Sequence, residues 1–355
     1  MGRLYYQSPR SLPGDRCRSS LRKQHLQVLS NGSYIVPTMK KFILHFLLVI
    51  LLLGGLTGYH LTDRAISAST CTIATQSVSV GNGTLSYNQV GNGNGAVILL
   101  LHGLFADKEQ WNSIMCRLAE AGYRAIAPDL PGYGTSQGFD VVNYALENQM
   151  KLLHEFVKGL GIDRIDIAGS SMGGAISTLY TQQYSQQVRS LAFIGSPLGV
   201  IGWAKPVKDA IYQGINPFIP ITKDQFDLEM SLLFVTPPQI PDSVKAAKVK
   251  DYITRNRHYQ KVWDIVNLYD EVLCQSPSIQ APTVIIWGEA DKIYNIRGAS
   301  KLQRCIPRSQ LLKLSNAGHL LLIENADAAA SAYLSFLQSN AAPPSKSSTE
   351  RPMVS

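Results

Sequence analysis

From residue 77 onward the chain alternates short apolar runs with longer stretches whose apolar residues recur at helical spacing. Residues 77–80 and 85–90 switch between apolar and polar positions around Gly81-Asn82-Gly83, which predicts a β-hairpin at the edge of a sheet. Residues 96–101 are continuously apolar, as a strand buried on both faces of a parallel sheet must be. A helix is expected over 107–121, with Trp111, Ile114, Met115 and Leu118 on one stripe and Gly122 as its stop. Residues 123–128 form the next strand, and residues 129–136 are a loop by composition. Leu146, Met150, Leu153, Val157 and Leu160 then repeat as one helical face before Gly161. Strand 165–168, helix 175–184 and strand 191–195 continue the alternation. The pattern predicts an α/β protein with a mostly parallel sheet covered by helices on both faces.

Residues 198–278 interrupt it. Pro206, Pro217, Pro220, Pro237, Pro238 and Pro241 punctuate helical pieces that carry Trp203, Phe218, Phe226, Leu232, Leu233, Phe234 and Trp263, which predicts an inserted helical cap. Strand and helix resume at 283–287, 299–305 and 310–314, and a last helix covers about 325–337. The core is thus expected over 77–197 and 279–338, and the Pro- and Ser-rich residues 339–355 are expected to be a disordered tail.

Charge changes the picture only at the N-terminus. The formal net charge is +8, yet residues 1–41 hold eight basic residues against Asp15 alone. The remainder is close to neutral, so no basic face for a nucleic acid is expected. Residues 1–38 read as a basic, disordered extension. Residues 42–58, uncharged and strongly apolar behind Lys40-Lys41, read as a signal peptide or membrane anchor within 39–70. With the basic side held in the cytoplasm, everything after Tyr59 crosses the membrane. The expected location is the bacterial inner membrane with a periplasmic catalytic domain, or the periplasm or exterior after cleavage. Cys71, Cys116, Cys274 and Cys305 lie on the exported side, which permits disulfides without fixing any pairing. No cysteine or histidine cluster has zinc-like spacing, so neither a metal nor a cofactor is expected.

The chemistry centres on Gly169-Ser170-Ser171-Met172-Gly173. A strand that reverses into a helix crowds its backbone, so the positions two before and two after the apex must be nearly free of side chain. Gly169 and Gly173 satisfy this around Ser171, whereas centring on Ser170 would put Met172 at a flank. Ser171 is the candidate nucleophile, with the Met172 N–H at the helix start facing developing negative charge. A serine hydroxyl needs a base, and the base an orienting acid, at the ends of later strands. His319 is the histidine that follows the cap, just beyond the last strand. Asp291 stands four residues past Trp287, at the end of the strand after the cap, with Glu289 as its competitor. Ser196-Pro197 ends the preceding strand, so no carboxylate is available there. Leu104 N–H, in the loop after strand 96–101, is the second candidate oxyanion donor.

His102-Gly103, residues 129–136, the serine motif, Trp287-Gly288-Glu289-Ala290-Asp291 and Ala317-Gly318-His319 together resemble the α/β-hydrolase superfamily over about residues 77–337. Within it, residues 102–108 with Trp111 and the serine motif are most similar to membrane-associated monoacylglycerol lipases and related bacterial lipases. The resemblance implies the α/β-hydrolase fold, Ser171, Asp291 and His319 as a triad, and hydrolysis of lipid-like carboxylic esters. One departure is Leu321, where many relatives carry a proline. The same triad also serves carbon–carbon bond hydrolysis and perhydrolysis, and a ligand-binding scaffold without turnover is a further alternative.

Overall fold

A computed structural model of the chain describes residues 71–269, 272–274 and 279–340. The expected extension, signal or anchor segment 42–58 and most of the expected tail lie outside these residues. Among the described residues no helix is long and apolar enough to cross a membrane.

Eight strands form one sheet: β1 (Ala74–Val80), β2 (Gly83–Val90), β3 (Val97–Leu101), β4 (Arg124–Pro128), β5 (Ile165–Ser171), β6 (Val188–Pro197), β7 (Thr283–Gly288) and β8 (Ser309–Leu314). Their spatial order is β1-β2-β4-β3-β5-β6-β7-β8. β1 pairs with β2, and β2 with β4, antiparallel; the other pairings are parallel. The uninterrupted apolar run of β3 has its reason in this layout. Val97, Leu99 and Leu101 join one core cluster, while Ile98 and Leu100 join the other across the sheet, the two-residue period of a strand buried on both faces.

One face is covered by α1 (Asn112–Glu120) and by α10 (Ala326–Ser339), which follows the short α9 (Leu321–Glu324). The other is covered by α2 (Leu146–Gly159), α3 (Met172–Gln183) and α8 (Arg297–Cys305). The helix expected from residue 107 begins instead as a 3-10 turn, Lys108–Trp111, with the Asp107 carboxylate accepting from Glu109 N–H. Between β6 and β7 the cap folds as α4 (Lys205–Tyr212), α5 (Lys223–Leu233), α6 (Asp242–Thr254) and α7 (Asn256–Val266). Trp203 stacks on Trp263 and on Tyr294, joining the cap to the loop after β7. Two disulfides, Cys71–Cys116 and Cys274–Cys305, close the pairing that the sequence left open.

Candidate active site

β5 ends on Ser171 and α3 begins at Met172, with nothing between them. The turn forces Ser171 to φ 51°, ψ −117°, a region that costs a non-glycine residue roughly 1–3 kcal/mol. Packing of the two flanks holds it there. A Cβ on Gly169 would stand 2.2 Å from the Gly173 carbonyl oxygen, and one on Gly173 would stand 2.1 Å from that of Leu101. Only glycine fits either place. Met172 opens the helix, so its N–H lacks an intrahelical partner.

The loop after β3 lies beside this turn, where a Cβ on Gly103 would touch the Ser171 Cβ at 3.2 Å. Several bonds fix its path. His102 Nε2 accepts from Leu130 N–H at 3.0 Å, which leaves the proton on Nδ1 to donate to the Gly103 carbonyl at 2.8 Å. Burial holds His102 below its ordinary pKa, so it stays the neutral tautomer this pattern requires. Gly103 N–H donates to Gln110 Oε1, and Phe105 adopts φ 56° beside Leu104. Lys108 then anchors the loop to Asp129: its N–H and its ammonium reach the two carboxylate oxygens at 2.8 and 2.9 Å. Thr135 adds its N–H and hydroxyl to the same carboxylate. Burial would raise Asp129, but the Thr135 and Lys108 donors outweigh it and hold the carboxyl below the ordinary range.

Asp291 and His319 meet at the ends of β7 and β8. Asp291 Oδ2 accepts from His319 Nδ1 at 3.1 Å, while Oδ1 accepts from the Ile293 and Tyr294 N–H groups at 2.8 and 3.0 Å. Glu289, the competitor, instead accepts from Ser315 Oγ on the surface. Ser196, where the sequence offered no acid, supplies a hydroxyl. It donates to Asp291 Oδ2 at 2.5 Å and lies 3.0 Å from His319 Nδ1. A Cβ on Gly195 would stand 3.1 Å from the His319 carbonyl and 3.2 Å from Ser170 Oγ, so the His319 backbone packs over the ends of β5 and β6. Glu324 ties the same loop to the cap, one oxygen accepting from Gly318 N–H and the other from Thr236 N–H.

Ser171, His319, Gly103 and Leu104 line one cavity of about 480 Å³ beneath the cap. Most of its wall is apolar, from Trp203, Phe218, Phe226, Met230 and Leu233 among others. All five sequence-named residues are therefore placed around the same turn: Ser171, His319 and Leu104 on the cavity wall, Met172 at the helix start and Asp291 behind the imidazole. Among the described residues no hydrogen bond joins Ser171 to His319, and such bonds in unliganded hydrolases commonly tighten only with substrate.

The alpha/beta hydrolase fold family matches residues 96–326, well over half of the chain. The chain belongs to that family. Lipase 1 of Psychrobacter immobilis is 30% identical over 258 residues, covering 70% of this chain and 79% of the relative. Monoacylglycerol lipase abhd6-B of Xenopus laevis is 28% identical over 277 residues, covering 74% and 81%. Among solved structures, a bacterial membrane phospholipase A aligns at a TM-score of 0.71 with 26% identity, covering 85% of this chain and 99% of that one. This kinship supports carboxylic ester hydrolysis as the hydrolase's activity and does not favour the carbon–carbon, perhydrolase or non-turnover readings. Two site features of the hydrolase escaped sequence reasoning: the Ser196 hydroxyl and the Lys108–Asp129 pair. The first could have been suspected from its place at a strand end between those of the serine and the acid. The second left no local signal, because its partners are brought together only by the pairing of β3 with β4.

Proposed function

We propose that this hydrolase cleaves lipid-like carboxylic esters through an acyl-enzyme formed on Ser171. In this reading Ser171 Oγ attacks the ester carbonyl while His319 takes its proton. The Met172 and Leu104 N–H groups receive the oxyanion, and the imidazolium then protonates the departing alcohol. Water, deprotonated by the same imidazole, releases the acid. Asp291 holds the Nδ1 proton of His319 throughout, which leaves the other ring nitrogen for proton transfer. The observation that carries the reading is the strained Ser171 turn opening into the same largely apolar cavity as His319, whose ring is held by a buried carboxylate. The apolar wall suits an acyl chain, in keeping with the names of the relatives.

The two disulfides support placing the catalytic domain in an oxidising compartment, such as the periplasm, with residues 42–58 directing export. The test of the activity is hydrolysis of p-nitrophenyl butyrate by the wild type and Ser171→Ala. Loss of kcat by roughly 10⁵-fold or more is expected, and a variant that keeps its turnover refutes the assignment.

A further inference from the structure

The cavity that holds Ser171 and His319 has two unlike ends. Its charged side chains, Asp107, Glu109, Glu229 and Lys248, come from the loop after β3 and from α5 and α6. Glu109 and Lys248 are exposed, so this end meets solvent. The other end is made of rings. Trp203 and Phe218, from the first segments of the cap, line it together with Ile293 from the loop after β7. The two rings lie 5.4 Å apart, and both rest on Trp263 of α7.

Behind Trp203 lies a second, smaller cavity of about 70 Å³, whose wall includes Leu198, Ile201, Val266, Asn267 and Tyr294. Among the described residues Trp203 is the one that lines both spaces. Its indole is therefore a partition, and it is held in place. It stacks on Trp263 and on Tyr294 at interplanar angles of 16° and 18°, and its Nε1–H donates to Asn267 Oδ1 at 3.3 Å. A methionine would close an apolar wall as well, but with three rotatable bonds of give. A stacked and hydrogen-bonded ring fixes where the wall stands.

We propose that Trp203 sets the length of the acyl chain: the chain runs from the Ser171 ester into the ring-lined end and stops against the indole, with the second cavity out of its reach. The inference rests on the Ser171 reading and assigns the acyl side of that same site. Chemistry assigns the ends. An acyl chain has no hydrogen-bonding group beyond its carbonyl, so its methylenes gain by leaving water for the rings. The alcohol portion must depart as a free hydroxyl compound, and it belongs at the end that opens to solvent. Each methylene that finds room should raise kcat/KM about fourfold, and the first one past the indole finds none. Removing the ring joins the two spaces. The 70 Å³ beyond it takes about two groups the size of a water or a methylene, and the volume of the ring itself adds to that.

The experiment measures kcat/KM of the full-length chain on p-nitrophenyl esters of even-numbered acids from butyrate to myristate, and reads the length at which the rise breaks off. In Trp203→Ala the break should move out by two carbons or more, so that the first ester past the wild-type break gains about fifteenfold relative to butyrate. Trp203→Leu, which keeps an apolar side chain in the wall, should move the same ratio in the same direction by less. Ile201→Phe adds bulk to the second cavity and leaves Asn267 in place. Alone it should not move the break, because no chain reaches that space; combined with Trp203→Ala it should pull the break back. A break that stays put in both Trp203 variants overturns the proposal, and so does one that shifts in Ile201→Phe alone. Wild-type protein that neither turns over p-nitrophenyl butyrate nor labels with a fluorophosphonate refutes the Ser171 reading, and this inference falls with it; active, labelled protein with an unmoved break refutes the partition alone.

Discussion

Lys108→Met removes the ammonium that pairs with buried Asp129 and also reaches Glu109 and Thr135, and so tests what holds the loop that carries Leu104. The two side chains are almost fully out of water, 4% exposed for Lys108 and 0% for Asp129, so solvent screening does little to weaken the pair. Removing one partner of such a pair costs about 3–5 kcal/mol, chiefly because the other charge is left buried and uncompensated. Here Asp129 would keep three donors, the N–H of residue 108 and the N–H and hydroxyl of Thr135. The loss therefore belongs near the lower end, about 3 kcal/mol, or roughly 10 °C in Tm for a domain of this size. The sign with pH follows from the same group. In the wild type Asp129 is held below its ordinary pKa, so its contribution is complete above about pH 4 and is lost as pH falls through the lower folded value. In Lys108→Met the ammonium's share of that depression is gone while the Thr135 donors and the residue-108 N–H remain, so Asp129 takes up its proton at a higher pH than in the wild type. Calorimetric Tm differences should be widest near pH 7 and narrow as pH falls below about 4. A difference under about 1 kcal/mol that does not change with pH would refute the argument that this pair carries the loop.

Four further outcomes are expected. Asp291→Asn should lower kcat by about 10⁴-fold, as removal of the orienting acid does; Ser196→Ala should lower it only about tenfold, because Ile293 N–H, Tyr294 N–H and His319 still hold the carboxylate. Steady-state kinetics on p-nitrophenyl butyrate distinguishes the two. Gly169→Ala should abolish fluorophosphonate labelling and lower Tm, since its Cβ would stand 2.2 Å from a backbone oxygen that cannot move aside cheaply. Cys116→Ser should cost about 2–4 kcal/mol in chemical unfolding, as expected for a bond that spans 45 residues of chain.

The sheet was legible because burial on both faces writes an unmistakable run such as residues 96–101, and because helices between strands repeat at 3.6 residues. The serine turn was legible for a steric reason: two glycines at fixed offsets exclude every register but one. Strand ends were read short, at Ala168 for a strand that runs to Ser171, because Gly169 and the serines carry no apolar signal. What escaped is what depends on register between distant segments. Ser196 matters only because β6 lies between β5 and β7, and Lys108 finds Asp129 only across neighbouring strand ends. Glu229, buried on α5, sits among Lys223, Asp224 and Asp227 in the sequence, and nothing local marks it as the one that turns inward.

In the proposed reaction Ser171, and no neighbouring serine, is the nucleophile. The most direct test is to label the full-length chain with a fluorophosphonate, digest it, and locate the adduct by peptide mass spectrometry. The expected result is a single adduct on Ser171, absent in Ser171→Ala and formed far more slowly in His319→Ala. An adduct on Ser170 or elsewhere, or labelling of Ser171 at an unchanged rate without His319, would rule out Ser171 activated by His319.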